Sequence, residues 1–257
     1  MKKIALAAAA TLLLSGAASA ADLAARPYTK APPVVAPPCV WCGFYIGVNA
    51  GGSWDYNDST YIQAPPAGAT ASARLENSGF IGGGQIGYNW QLNSFVLGIQ
   101  GDAAWRDHTA SARLFPFAAD DVIDVSNRQG WLATIRPRAG LAFGNGLIYV
   151  TGGVAFGEVN NSYTELRLST GQSRVVALTD TRTGWTAGVG AEWKFTPNWS
   201  LGVEYLHVDL GDTTVATVAS VSQGLGFPAS QTTFENKSDI VRAKINYHFG
   251  GPVVAKY

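Results

Sequence analysis

The chain has 257 residues, of which 18 are basic and 18 acidic, so its formal net charge is zero and no cationic surplus is available for a nucleic-acid partner. Thirty glycines beside 8 Trp, 10 Tyr and 11 Phe disfavour helix and favour strand. Past residue 20 no apolar run reaches the roughly 20 residues that a spanning helix needs.

Residues 1–20 read as a secretory signal peptide. Lys2 and Lys3 form a basic start, 4–14 is an apolar run, and Ala18-Ser19-Ala20 is a small-residue cleavage site. Cleavage leaves Ala21 as the mature N-terminus, with sixteen basic against eighteen acidic residues after it. No cysteine follows the site at once, which argues against a lipoprotein. Residues 21–40 form a proline-rich linker whose first eighteen residues, in polyproline II, reach roughly 55 Å.

From residue 41 to 249 the sequence alternates strand, long polar loop, strand, tight turn. Eight runs show a period of two: 43–51, 80–90, 95–105, 131–143, 147–157, 185–195, 200–209 and 239–249. In the last, Val241, Ala243, Ile245, Tyr247 and Phe249 oppose Arg242, Lys244, Asn246 and His248. Gly144-Asn145-Gly146 is a strong turn signal. Pro137 cannot donate to a ladder, so a bulge or an unpaired position is expected there. Four loops of roughly 24 to 28 residues are expected between the hairpins, and 250–257 is a short tail.

The aromatics choose between the two faces. Trp90, Phe95, Phe143, Trp193, Phe195, Tyr247 and Phe249 fall near the tight-turn ends, and Trp105, Trp131, Phe156 and Trp185 near the loop ends. About ten residues separate the groups, or roughly 25 Å along a tilted strand, the height of an outer-membrane barrel's apolar band. On the opposite face Gln100, Asp102, Arg136, Arg138, Glu192, Glu204, Arg242 and Lys244 share one depth. Charges in such a layer are untenable against hydrocarbon but can pair inside a narrow barrel. The pairs expected are Asp102 with Arg136 and Glu204 with Lys244. The fold class is therefore all-β: an eight-stranded antiparallel up-and-down transmembrane β-barrel with short periplasmic turns and four long external loops.

No constellation specifies an enzyme, a metal or a cofactor. Cys39 and Cys42 have redox-motif spacing but lie between a proline-rich stretch and a strand, so a local disulfide or idle thiols are the alternatives. The run 82–87 fits a dinucleotide fingerprint by letter, yet it lies within a strand and opens no helix, which leaves close packing. His108, His207 and His248 have no ligand spacing. Glu192 and Glu204 read as lumen ion-pair partners and not as a glycosidase couple.

The segments WCGFYIGVNAGGSW, FIGGGQIGYNW, TIRPRAGLAFGNGLIYVTGGVAFG, GWTAGVGAEWKFTPNWSLGVEYLHVD and VRAKINYHF resemble the small alphaproteobacterial outer-membrane barrels of the porin or outer-membrane immunogenic family. That resemblance implies an OmpA-like barrel held by outer-membrane lipid and inserted by the barrel-assembly machinery through its last aromatic strand. It also implies roles in envelope integrity and host contact and, in some members, hemin binding, for which Tyr56, Tyr61, His108 and Tyr163 are the candidate iron contacts. Some relatives begin their mature chains with Ala-Asp and are attached there to peptidoglycan; Ala21-Asp22 matches. The rival readings are a small pore and a soluble lipocalin-type barrel.

Overall fold

In the computed structural model the described residues are 39–63, 68, 70–114, 121–168, 171–217, 220–222, 225–227 and 229–249. The period-two segments form β1 (Gly43–Gln63), β2 (Thr70–Leu92), β3 (Phe95–Leu114), β4 (Asp121–Phe143), β5 (Gly146–Arg167), β6 (Gln172–Lys194) and β7 (Trp199–Asp209). Four short strands follow: β8 (Thr213–Thr217), β9 (Ser220–Ser222), β10 (Leu225–Phe227) and β11 (Ser230–Phe234). The last is β12 (Lys237–His248). β1 to β7 pair antiparallel in order, and β12 pairs with both β7 and β1, closing a ring of eight strands.

The hairpin turns carry the residues their geometry requires. Asn93 (φ 56°) and Gly144 (φ 60°) occupy the left-handed region, where Asn and Gly cost least. Trp199 N–H donates to Thr196 Oγ1 at 3.0 Å and caps the third turn. At Pro137 the β4–β5 ladder passes over residues 136–137 with its register unchanged, so the missing donor leaves an unpaired position. Thr151 Oγ1 fills part of the gap by donating to the Pro137 carbonyl at 2.9 Å. Register shifts occur elsewhere, between Trp105 and His108 and between Gln129 and Leu132.

The segments expected as long polar loops are largely strand. β1 runs on to Gln63, β2 begins at Thr70, and β4, β5 and β6 each span 22 or 23 residues. The ring does not continue upward intact. β2–β3 pairing ends at Ile81–Arg106, and β6–β7 pairing ends at Trp185–Asp209. Beyond these points lie two four-stranded sheets, β2-β1-β11-β8 and β3-β4-β5-β6. They face each other across Tyr61, Phe234 and Val215 on one side and Ile123, Val125 and Tyr163 on the other. The far end is thus a small β-sandwich growing out of the barrel wall. Its inward positions include Ser59, Gln63, Asn127, Asn161 and Glu165, all buried. Hydropathy therefore stops alternating there while the strand geometry goes on.

If 159–165 is laddered on both sides, its amides should exchange with solvent at least ~100-fold slower than an unstructured peptide. Hydrogen exchange on the detergent-folded protein would measure this. Unprotected amides would return the segment to a loop.

Candidate functional site

The side chains sort by pleat. Outward positions are apolar and exposed: Phe44, Ile46 and Val48 on β1, Leu97 and Ile99 on β3, Val189 on β6, Leu201 and Val203 on β7. This is the reverse of a lipocalin, whose apolar face lines the cavity. Trp90, Phe95, Phe143, Trp193, Phe195 and Phe249 are exposed near the tight turns, and Tyr247 stacks edge-on between Trp199 and Phe249 at 5.1 Å from each. Ten residues up β3, Trp105 is exposed and stands opposite Trp131 in the ladder. Trp185 is exposed at this end, and Trp131 and Phe156 are half-buried. Trp54 and Phe80 join this upper belt, and Phe44, Tyr88 and Trp199 the lower one. Sequence reasoning missed Trp54 because it ended the first strand at residue 51.

Inside the ring the charged residues are buried together. The expectation of two separate pairs gives way to one shared network. Asp102 Oδ1 accepts from Arg136 Nη2 at 2.5 Å and from Arg242 Nη2 at 2.9 Å. Glu204 Oε2 accepts from Arg242 Nη2 at 2.7 Å and from Arg136 Nη2 at 3.3 Å, while its Oε1 takes Lys244 Nζ at 3.2 Å and the Tyr149 hydroxyl at 2.8 Å. Glu192 Oε1 lies 2.8 Å from Arg138 Nη1 and 3.1 Å from Lys244 Nζ. Arg138 also lies 4.6 Å from the Tyr45 ring centre and 5.0 Å from that of Tyr149, and Tyr45 donates to Gln100 at 2.9 Å. Each acid serves at least two bases, which is how three carboxylates hold four cations away from water.

Glycines make room for this layer. The Tyr45 ring lies over Gly87, and the Tyr149 ring and hydroxyl lie over Gly190, where any Cβ would overlap them. Gly83 abuts the Ala103 carbonyl in the same way. The glycines of 82–87 are therefore strand residues at close approaches.

Two apolar layers bracket the charges. On the turn side, Trp41 is fully buried with Val96, Leu147 and Tyr149. Its backbone N–H donates to Gln91 Oε1 at 2.9 Å, its ring meets His248 edge-on at 5.5 Å, and Lys194 Nζ donates to the neighbouring Val40 carbonyl at 2.7 Å. Cys39 and Cys42 are joined in a disulfide that flanks this lid, ahead of a strand and at no helix start. On the far side Ile81, Leu132, Leu206, Val208, Leu210 and Ile240 close over the charges. Sequence reasoning missed this septum. Its signal was the run from Leu206 to Leu210, where the inward set turns apolar while Tyr205 faces out.

Of the iron-contact candidates, Tyr61 and Tyr163 share one buried cluster, and Tyr56 stands apart from them. Tyr61 and Tyr163 are buried in the sandwich, and Tyr61 donates to Glu165 Oε1 at 2.9 Å. Burial, followed by the Glu165 charge and hydrogen bond, pushes the Tyr61 phenol up and away from the phenolate that iron would require. Tyr56 faces outward at the upper belt, and the His108 side chain lies outside the described residues. Among the described residues no group of three His, Cys, Asp or Glu could hold a metal. Ala21, with residues 1–38, and the tail 250–257 also lie outside the described residues.

A closed strand ring with an apolar belted exterior and a charged, filled interior defines an integral outer-membrane β-barrel. The family model "Outer membrane protein beta-barrel domain" matches residues 6–249, and the chain belongs to that family. A 31 kDa outer-membrane immunogenic protein of Brucella melitensis is 32% identical over 97% of this chain and all of its own length. A 22 kDa outer membrane protein of Rhizobium leguminosarum is 31% identical over 68% of this chain and 67% of its own. Among solved structures, OprG of Pseudomonas aeruginosa covers 80% of this chain and 97% of itself at 12% identity, with a TM-score of 0.47. The protein is thus a surface-exposed barrel of the Gram-negative outer membrane.

Removing one partner from a buried ion network strands the others. Glu204→Ala is expected to cost about 3–5 kcal/mol of stability in urea titrations of the micelle-folded protein. The double variant Glu204→Leu with Arg242→Met should recover a substantial part of that loss. A double-variant cost equal to the sum of the costs of the two single variants, Glu204→Leu and Arg242→Met, would show that the two residues are not coupled.

Proposed function

We propose that this barrel is structural and surface-presenting: it anchors in the outer membrane and holds a rigid external sandwich against the environment, without conducting solutes or catalysing a reaction. The observation that carries this reading is the filled lumen. A lid around Trp41, the ion network and the septum around Leu206 and Ile240 are stacked in succession, with Trp41, Arg136, Leu132, Leu206 and Ile240 all at 0% exposure. Eight strands leave an interior that side chains can fill, and here they fill it.

The wall supports the same reading. A recognition surface built on laddered strands is held in shape before any partner arrives, so less ordering entropy opposes binding. The naming of the Brucella relatives as immunogenic fits a surface reached from outside. Within this proposal, β12, leading to Phe249, is the element that the assembly machinery would read. Ala21 would be the point of attachment to peptidoglycan, on sequence grounds alone.

The purified protein, reconstituted into planar bilayers in concentrated potassium chloride, is expected to give no recurrent conductance steps. Stable unitary steps would overturn the non-conducting reading and favour a small pore.

A further inference from the structure

The external sandwich has an edge with a neutral middle. Above Trp185, the last β6 residue paired with β7, residues 172–184 of β6 are laddered, among the described residues, on one side only, to β5. Across this seam β8 is laddered, among the described residues, only to β11. β6 therefore turns a row of backbone N–H and C=O groups outward, and natural edges of this kind are usually blunted by charge, proline or a bulge. The edges at the other seam follow that rule. On the β2 side, Arg74 Nε lies 3.5 Å from both Asp58 and Glu76, and on the β3 side Arg113 is paired with Asp124 at 2.7 Å. On β6 the charges stand at the two ends of the edge, Arg174 at one and the Asp180–Arg182 pair, 3.1 Å apart, at the other, and the stretch between them, Val175-Val176-Ala177-Leu178-Thr179, has no charge, proline or glycine.

The pleat adds a second observation. Even-numbered residues of this part of β6 face the sandwich interior: Arg174 reaches Glu165 at 2.6 Å, and Val176 packs on the apolar core. Leu178 and Asp180 belong to the same face, directly opposite Asn161 and Val159 of β5. Those two partners are buried, yet Leu178 is 38% exposed and Asp180 is exposed. Interior side chains uncovered at one edge mark a place where a strand's width of cover is missing.

We propose that the neutral stretch 175–179 on the edge of β6 is a docking site for an extended peptide strand presented from outside the cell and captured by β-augmentation. This deepens the surface-presenting reading and rests on it. The backbone groups call for a polypeptide partner, and the neutral Val-Val-Ala-Leu-Thr stretch calls for uncharged, β-branched side chains in it. A second copy in the same membrane does not fit. Strands tilted by roughly 35–45° and related by a two-fold axis along the membrane normal cross at roughly 70–90°, which is no ladder geometry. Cys39 and Phe249, where the described segment begins and ends, lie at the tight-turn end, a membrane thickness away.

The test uses a fluorescein-labelled Thr-Val-Thr-Val-Thr-Val peptide and the full-length protein folded in detergent, with binding read by anisotropy. Saturable binding is expected. The double variant Ala177→Lys with Leu178→Lys should weaken it by at least about tenfold, while Thr109→Lys on the β3 edge should leave it unchanged. The same peptide N-methylated at alternate amides should not bind, because ladder capture needs its N–H groups. Each variant's heat-dependent gel mobility reports whether the barrel is folded. No saturable binding by the wild type, equal binding by the lysine variant, or equal binding of the methylated peptide would overturn the docking site. A protein that stays folded and non-conducting while failing these tests loses only this inference. Conductance steps would instead remove the reading on which it rests.

Discussion

The ladder between β1 and β12, twelve residue pairs from Tyr45–His248 to Tyr56–Lys237, turns a sheet into a ring. In hydrocarbon each unpaired backbone group costs several kcal/mol, so within the membrane no edge can be left open. Closure at this ladder permits the apolar exterior, and closure also creates an interior that eight strands make too narrow for bulk water. Both seams in the wall begin at the upper aromatic belt, at Ile81–Arg106 and Trp185–Asp209, where water again satisfies the backbone.

The narrow interior sets the next constraint. A charged layer in a space this size cannot be hydrated, so it must be neutralised by contact. Sharing achieves this: Glu204 alone meets Arg136, Arg242 and Lys244. Such an arrangement is weak evidence for high stability, because burying charge is costly. It does specify geometry. Arg138 reaches Glu192 only by passing between the rings of Tyr45 and Tyr149, and those rings lie flat only because Gly87 and Gly190 have no side chain. The strand register and the charge network therefore fix each other, since a one-residue slip would send every one of these groups into lipid.

The ring of strands, the sign of each face and both aromatic belts were legible because lipid imposes a strict rule on every outward residue. Inside, legibility fell with the chemistry. Gln100, Asp102 and Arg136 were readable as one depth because charge is conspicuous, but which acid served which base depends on side-chain reach across the lumen. The septum around Leu206 and Ile240 was hidden because the inward set changes from charged to apolar along one strand, while the outward set turns polar at His207, Asp209 and Asp239. The sandwich was hidden for the opposite cause: Ser59, Asn127, Asn161 and Glu165 are polar residues in a buried layer, and polarity reads as loop. Trp41 is a third case. It precedes the first strand and carries no periodic signal, and only the folded mouth of the barrel shows that it is enclosed.

The sandwich has a consequence for how such a surface can drift over time. Along 159–165 on β5, Val159, Asn161, Tyr163 and Glu165 are locked into the interior, while the residues between them are only partly covered. A macromolecule approaching from outside would meet only the second set. Substitutions can therefore accumulate at every other position at little structural cost, while the intervening ones stay fixed by packing. Among related strains such a surface would vary with a period of two, in contrast to the unbroken blocks of variation that a flexible loop permits.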